Sequence, residues 1–545
     1  MLVETLKFSG IVQYHERTKH HFHRYARSLG YMDWKNQPHP FRFYSGGNET
    51  TLPLLKDDPS AGQMHLYQRK NKDSGTFCLK NVAGFLELSL GLSAWKSYAG
   101  NSWSLRINPS SGNLHPTECH VVLPSMHSLQ AGVYHYCPFS HSLELRAEVS
   151  EELWERVRNH FGVECFVVGL SSIYWRESWK YGERAFRYCS HDIGHALACL
   201  CFSASLQGWR VKYLNALSDD DVENILGLNR VKWNEEEEEH PESLCVVYSD
   251  RVNDIMMPRF VPSDVISTFS ELDFKGEPNP LSDEKTHWEV IREASNYTRK
   301  PATTETRYHF GRTDFFEHPS TSFQASMIIR KRRSAVGFDG EGVLARNQFL
   351  SILDKTLPRD DCAPFDAEII EPAIHLLIFV HRVHDLEPGL YFLIRNVNDM
   401  DEIRELSRSK LLWERADTEL PLYLLEKGDF RQIAIRVSCE QEIAGYGIFS
   451  LGMIARFEGT LKEGAYKYRH LHWEAGMVGQ ILYLEAEACG VRGTGIGCFF
   501  DDPVHDLLGL EGNTYQSLYH FTVGSPVEDR RLTTFSPYSH LSDGR

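Results

Sequence analysis

Several things that would each point to a broad class of function are scarce in this chain of 545 residues. Positive charge is in deficit: 58 Lys and Arg stand against 74 Asp and Glu, a formal net charge of −16 at pH 7. General nucleic-acid binding rests on a basic face or stripe and is excluded on that ground. A small anionic ligand is not, because it needs only a few local cations. No apolar run approaches the roughly 20 residues of a membrane span, and the N-terminus has no signal-like pattern, so a cytoplasmic protein without membrane attachment is expected. The 12 cysteines are scattered, with no Cys-x-x-Cys pair. In that compartment they are expected to be reduced and mostly buried. His20, His21 and His23 have no carboxylate or cysteine at ligand spacing, so no metal is expected.

What the chain does contain is an internal echo. Gly194, Gly208 and the run Asp219–Leu228 recur as Gly476, Gly490 and Asp501–Leu510, all at an offset of 282 residues, and six of the ten residues in the run are the same. A single core rarely grows past roughly 250–300 residues, and a repeat this long means duplicated domains rather than a solenoid. We read 1–75 as an N-terminal extension, 76–255 as a first domain, 256–322 as a linker and 323–545 as a second domain. The later part of the linker, 296–322, is rich in Thr, Arg, His and Pro and has no clear period. The acidic tract Glu235–Glu239 reads as a solvated loop.

Strand signals at Cys119–Leu123 and Gly132–Tyr136 are echoed at His375–Phe379 and Gly389–Leu393. Ile193, Leu197, Leu200 and Ala204 stand at helical spacing among further non-polar residues, and Met477, Ile481, Leu484 and Ala488 are their counterparts. A helix with no polar face must be buried all round. The two are expected to share a core as an intramolecular pseudo-dimer. Arg187 and Arg469 also match at the same offset, as do Asp192 and Glu474, a pattern that structural ion pairs explain at least as well as catalysis.

Four motifs carry chemistry. In Arg106–Pro116, Pro109 presets a turn and Gly112 permits close backbone approach, while Ser110, Ser111 and Asn113 add donors and acceptors without bulk. Composition alone also allows a plain turn. The cluster Arg330–Ser334 suits a phosphate, because guanidinium groups bind its oxygens bidentately; alone, such a run of cations is usually a solvated face. Gly493–Gly497 is too short for a dinucleotide fingerprint and follows the wrong element, but it can set main-chain amides against a flat ligand. Finally, Lys180 and Tyr181 are adjacent titratable groups, and Arg530 and Arg531 follow the last strand candidate, Leu518–Gly524.

In this order and placement the motifs resemble the nitroreductase-like flavoprotein superfamily and, within it, the SagB-type dehydrogenases, which include azoline- and thiazoline-oxidising enzymes of peptide natural-product pathways. The resemblance covers 76–255 and 323–535. It implies an α+β fold of two tandem nitroreductase-like domains, each an antiparallel-rich sheet flanked by helices, with FMN at their interface. Arg332, Arg333 and Ser334, with Arg530 or Arg531, would grip the phosphate and ribityl chain. Pro109, Ser110, Ser111 and Asn113 would approach from the other domain, and Gly495, Ile496 and Gly497 would supply backbone contacts near the ring. The Lys180–Tyr181 pair resembles the one that azoline-oxidising relatives use for proton removal. Lysine would serve as base if burial lowered its pKa, with tyrosine as relay.

Carried over residue by residue, the resemblance is asymmetric. The first domain lacks an Arg-Arg-Ser opening, having only Arg69 and Lys70 nearby, and the second has Pro358–Pro364 where a serine loop should stand. Val336 occupies a position where the family often has another arginine. One composite flavin site is therefore expected, in an oxidoreductase acting on a small-molecule or peptide-derived substrate. Two other readings stay open. One is an NAD(P)H-dependent reductase of nitroaromatics or quinones with Lys180 and Tyr181 structural; the other is a catalytically degenerate binding or scaffold protein.

Overall fold

The computed structural model describes residues 2–68, 76–249, 257–311, 314–315 and 323–541; Arg69 and Lys70 lie outside the described residues. Two seven-stranded antiparallel sheets dominate it. Numbering their strands in chain order, the first contains β1 (Glu49–Thr51), β2 (Thr117–Leu123), β3 (Gly132–Cys137), β4 (Ser142–Glu148), β5 (Cys165–Ser172), β6 (Trp209–Tyr213) and β7 (His240–Ser249). The second contains β8 (Ile374–Val380), β9 (Gly389–Leu393), β10 (Glu414–Arg415), β11 (Leu422–Lys427), β12 (Phe449–Arg456), β13 (Arg492–Ile496) and β14 (Tyr515–Gly524). The six strands β4-β3-β2-β5-β7-β6 and β11-β9-β8-β12-β14-β13 have the same order and connectivity. The remaining edge strand comes from the N-terminal segment in one sheet (β1) and from between β9 and β11 in the other (β10). Central strands such as β5 and β8 are apolar on both faces and buried along their whole length, which requires helices on each side of the sheet.

Between the sheets lie the two apolar helices, Ala185–Leu206 and Lys467–Ala488, each of 22 residues. They cross at the repeated glycines. A Cβ on Gly194 would lie 2.1 Å from the Trp473 carbonyl oxygen, and one on Gly476 would lie 2.2 Å from that of His191. Only hydrogen fits there, so the backbones touch. The other repeated pair, Gly208 and Gly490, has φ of +70° and +75° and ends each helix in the left-handed turn that glycine adopts without penalty. The 282-residue echo therefore marks where two helices meet and stop.

The matched arginines are also part of the junction. Arg187 reaches Asp501 at 2.8 Å and Arg469 reaches Asp219 at 2.6 Å, so each central helix grips the aspartate that opens a short helix of the opposite half (Asp219–Leu226 and Asp501–Leu508). Neither arginine pairs with the matched acids: Glu474 binds Arg395, and Asp192 belongs to the site below.

Both chain ends fasten the halves together. The helix Leu2–Arg17 brings His15 to the Tyr468 hydroxyl at 3.3 Å and to Gln516 Oε1 at 3.1 Å, and β1 adds an edge strand to the first sheet. Thr533–Phe535, from the second half, pairs with Leu92–Tyr98, whose hairpin partner is Asn101–Arg106. The acidic tract departs from expectation, since Glu237 and Glu239 are buried. Glu239 accepts from the Ser171 and Tyr44 hydroxyls at 2.7 Å each and contacts His120 at 2.8 Å, so the fold uses these carboxylates as internal acceptors. Among the described residues, no helix is long and apolar enough to cross a membrane.

Candidate functional site

A cavity of about 570 Å³ opens between the halves, lined from one side by the 108–113 loop with Tyr181 and Asp192, and from the other by Arg332–Val336, Tyr483, Arg492 and Thr494–Cys498. All but two of the residues expected to hold a cofactor line it: Pro109, Ser110, Ser111, Asn113, Arg332, Arg333, Ser334, Gly495, Ile496 and Gly497. Tyr181 lines it as well.

The loop of the first half is braced from behind. Asn113 Nδ2 donates to the Ser104 carbonyl at 3.0 Å, which ties the loop to the Asn101–Arg106 strand. Ser110 Oγ accepts from His115 N at 2.7 Å. The backbone N–H and hydroxyl of Ser111 both donate to Asp192 Oδ1, each at 3.1 Å. Glu177, on the helix Tyr174–Tyr181, lies 3.5 Å from Ser110 Oγ. Both acids are buried. Burial pushes Asp192 up to about 7; burial, aided by the Asp192 charge, lifts Glu177 well above the usual carboxylate range. The serine loop therefore rests on two carboxyl groups that hold a proton more tightly than usual.

Lys180 and Tyr181 pack against the same loop. A side chain at Gly112 would meet the Tyr181 hydroxyl at 2.7 Å and Lys180 Nζ at 3.2 Å. Lys180 Nζ lies 5.1 Å from the Tyr181 ring centroid, and that ring meets Tyr188 edge-on at 4.5 Å. Tyr181 faces the cavity, whereas Lys180 stands behind Gly112. Burial, with Glu177 next, pushes the Tyr181 hydroxyl well above its ordinary value, so it is a neutral hydrogen-bond donor at physiological pH.

The second half supplies cations, but two of them are already engaged. Arg332 donates to the carbonyls of Arg106 and Ile107 at 3.0 and 3.2 Å, with its guanidinium over the Tyr483 ring. Arg333 donates to the Ser93 carbonyl at 2.9 Å and to that of Arg332 at 2.6 Å. These groups clasp the opposite half while forming the cavity wall. Ser334 Oγ meets the Tyr483 hydroxyl at 2.8 Å, and that hydroxyl accepts from Gly495 N at 2.9 Å. The glycines of the turn make room for aromatic walls: a Cβ on Gly495 would sit 1.9 Å from the Tyr519 hydroxyl, and one on Gly497 would sit 2.4 Å from the Tyr188 ring.

Two lining cations were not anticipated. Lys96 and Arg492 face Arg333 across one end of the cavity; burial, then the charges of Arg333 and Arg492, lowers the Lys96 ammonium, and burial with Arg332 brings Arg333 down to about 10. Lys96 holds Thr534 Oγ1 at 2.7 Å and Arg492 holds Glu528 at 2.7 Å. Neither Arg530 nor Arg531 lines this cavity. Arg531 pairs with Asp529 at 2.8 Å over the Tyr98 ring, and Arg530 faces a neighbouring shallow cleft with Val336. For Arg492 a signal existed, since it lies beside the glycine turn and repeats Arg210 at the same offset. A lone lysine on a strand, as at Lys96, carries none.

At the pseudo-symmetric position the space is filled. Arg210 pairs with Asp361 at 2.8 Å, and Lys212 donates to the Asp366 carbonyl at 2.6 Å and to Glu368 at 2.8 Å. Phe315 inserts beneath Lys355 and Arg359, at 4.2 and 4.0 Å from the ring centroid. Ala363 N donates to the Tyr67 carbonyl at 3.1 Å, which seats the 358–364 loop directly on the first half.

The model of the nitroreductase family matches residues 329–525. A protein of Methanocaldococcus jannaschii, provisionally named a nitroreductase, is 30% identical over 122 residues, which are 22% of this chain and 62% of that protein. The chain thus spans less than two thirds of that relative's length. A solved structure from Anabaena variabilis, also provisionally named a nitroreductase, superposes with a TM-score of 0.66 at 22% identity, covering 95% of this chain and 99% of its own. The fold is therefore nitroreductase-like across both halves, and the second half carries the match to the nitroreductase family.

Proposed function

We propose that this chain is an FMN-dependent oxidoreductase of the SagB-type dehydrogenase kind, with one composite flavin site between its halves. The observation that carries the reading is the cavity itself, where the serine loop of one half and the Arg-Arg-Ser and glycine-rich segments of the other line one chamber. The filled pseudo-symmetric position argues for a single site. The chamber suits a flavin mononucleotide in three respects. Its volume lies within the range of cofactor pockets, Tyr181, Tyr188 and Tyr519 give it flat apolar wall, and Lys96, Arg333 and Arg492 gather positive charge at one end. In addition, Asn108 Oδ1 is buried in its wall with no hydrogen-bond partner among the described residues, an acceptor that a ligand donor would satisfy.

A bound flavin supplies two-electron transfer to or from a substrate held against its ring. The protein's share is positioning and proton handling. Lys96, Arg333 and Arg492 would hold the phosphate end by charge-assisted hydrogen bonds. Ser110 and Ser111, held by Glu177 and Asp192, present the loop at a fixed height. The Tyr181 hydroxyl, with Lys180 beside it, would relay the proton that the substrate gives up on oxidation. The substrate we infer is a small or peptide-derived molecule admitted at the open side.

The position of Lys180 behind Gly112 favours a second reading, in which it and Tyr181 brace the loop in an NAD(P)H-dependent nitro or quinone reductase. Replacing Lys180 by Ala separates the two: undiminished turnover supports the brace. The primary test is flavin stoichiometry on purified protein, by absorbance after saturation with FMN. One flavin per chain is expected. No bound flavin overturns the reading, and two per chain overturn the single site.

A further inference from the structure

At the cavity mouth stands a group of reactive side chains that the flavin reading leaves unused. Cys498 follows the glycine-rich turn and lines the cavity, and Cys439 lies just after the helix Arg431–Val437. Their thiols hydrogen-bond to each other. A third member comes from the N-terminal segment: the His20 ring hydrogen-bonds to Cys498. His20 is fixed for that contact, since its Nδ1 accepts from Ala26 N at 2.9 Å and its backbone N–H donates to Asp501 at 2.8 Å. Arg184, anchored on Asp501 at 3.0 Å and lying over the Phe499 ring, adds a cation nearby.

Eight of the 12 cysteines are buried, whereas Cys439 and Cys498 are partly exposed, together with Cys78 and Cys489. The Cys439 thiol donating to it, with help from His20 and Arg184, pulls Cys498 down to about 5. The same contact, reinforced by burial, keeps Cys439 protonated. A thiolate stabilised beside a second thiol, a histidine and an arginine, on an accessible rim, is a nucleophile with its resolving partner in place. The two segments are already tied together, since the side-chain Nε2 of Gln441, two residues after Cys439, donates to the Cys498 carbonyl at 2.8 Å.

We propose that Cys439 and Cys498 form a redox-active dithiol at the cavity mouth, oxidised reversibly to a disulfide by exchange with a low-molecular-weight disulfide. The Cys498 thiolate attacks one sulfur of the small disulfide, whose S–S bond breaks; one small thiolate leaves and takes a proton from solvent. Cys439 then attacks Cys498 Sγ, expels the second small thiolate and gives it its proton. The protein dithiol loses two electrons and two protons in total, and the small disulfide becomes two thiols. The new bond ties the loop after Val437 to the glycine-rich turn, so the redox state sets one wall of the cavity. None of this depends on flavin.

The test is mass spectrometry of the full chain after incubation with oxidised glutathione at pH 7. The wild type is expected to lose two hydrogens and to give one Cys439–Cys498 cross-linked peptide, reversed by dithiothreitol. Cys439→Ser stops at a glutathionyl adduct on Cys498. In His20→Ala the pH midpoint of Cys498 capture moves upward, because one of the groups that hold the thiolate is lost. Wild-type protein whose Cys439 and Cys498 are both still alkylated by iodoacetamide after oxidation overturns the proposal without recourse to any variant. Adducts spread evenly over Cys78 and Cys489 do the same.

Discussion

Replacing Gly476 by alanine tests the junction on which the composite cavity depends. The added Cβ would sit 2.2 Å from the His191 carbonyl oxygen and 3.0 Å from Gly194 Cα. Normal van der Waals separation requires the first contact to lengthen by about 1 Å, and backbone rather than a pliable side chain is in the way. Overpacking of this kind costs about 1–3 kcal/mol. A glycine-to-alanine change inside an unhindered helix would instead stabilise by about 1 kcal/mol, so the two effects have opposite signs. With a cost near the upper end, the net is a loss of about 2 kcal/mol, or roughly 4–8 °C in Tm for halves of this size. Gly490→Ala provides the control, because nothing lies within 4 Å of its Cβ and only its φ of +75° resists alanine, at a cost of about 1 kcal/mol. Thermal denaturation followed by circular dichroism ranks the two. A neutral or stabilised Gly476→Ala protein would refute the close crossing and, with it, the rigid seam beneath the cavity.

Arg469→Met leaves Asp219 and Glu242 buried without their cation and is expected to cost about 3–5 kcal/mol in chemical denaturation; a loss below about 1 kcal/mol would show the pair to be incidental. Because Asp192 titrates near 7 when folded, above its unfolded value, its protonation stabilises the fold at low pH, and that contribution is lost as pH rises from about 4 to 7. Asp192→Asn should flatten this segment of the stability profile, and an unchanged slope between pH 5 and 7.5 contradicts the assignment. For the flavin site, Arg492→Ala and Lys96→Met are each expected to weaken FMN binding about tenfold in a fluorescence titration, as loss of one charge-assisted contact implies. Arg531→Ala should leave it unchanged, and the reverse ranking would return the phosphate to the C-terminal arginines.

The scaffold was legible in the chain because duplication writes the same physical demand twice. The helix crossing needs glycine on both helices, the helix ends need a left-handed residue, and the short helices need an aspartate for the opposing arginine; all of these survive at the 282-residue offset. Strands such as β8 announce themselves through unbroken apolar runs. What could not be read were pairings set by the third dimension. Nothing local distinguishes an Arg333 that binds a phosphate from one that also clasps the Ser93 carbonyl. Glu177 and Asp192 sit on different helices and become a pair only when both turn toward the serine loop. Glu237 and Glu239 look solvated because the run is acidic, yet Arg42, His120, Ser171 and Tyr44 converge on them from elsewhere.

One departure from symmetry separates the two chambers. The halves share strand order, central helices and cross-ion pairs, so a fused dimer would by default carry two equivalent chambers. In one, Ser110 and Ser111 lean on two buried carboxyl groups whose pKa values are raised, and the cations at its far end are only partly neutralised. In the other, the cations have protein partners: Arg210, the counterpart of Arg492, on Asp361, Lys212 on Glu368, and Lys355 and Arg359 over Phe315. A cation held by a carboxylate gains less from a phosphate, because the old pair must break as the new one forms. That holds for Arg492 on Glu528 as well, so the chambers differ chiefly at Lys96, which gives up only a hydroxyl, and at Arg332 and Arg333, which hold carbonyls. Emptying the filled position should therefore take more than one change. Phe315→Ala alone would open space without changing charge, whereas adding Asp361→Ala and Glu368→Gln would also remove carboxylates that hold Arg210 and Lys212. Flavin stoichiometry measures the outcome: the single variant should stay at the wild-type value, and only the combined variant should bind more. Extra flavin in Phe315→Ala alone would mean that shape, not charge satisfaction, keeps the second chamber closed.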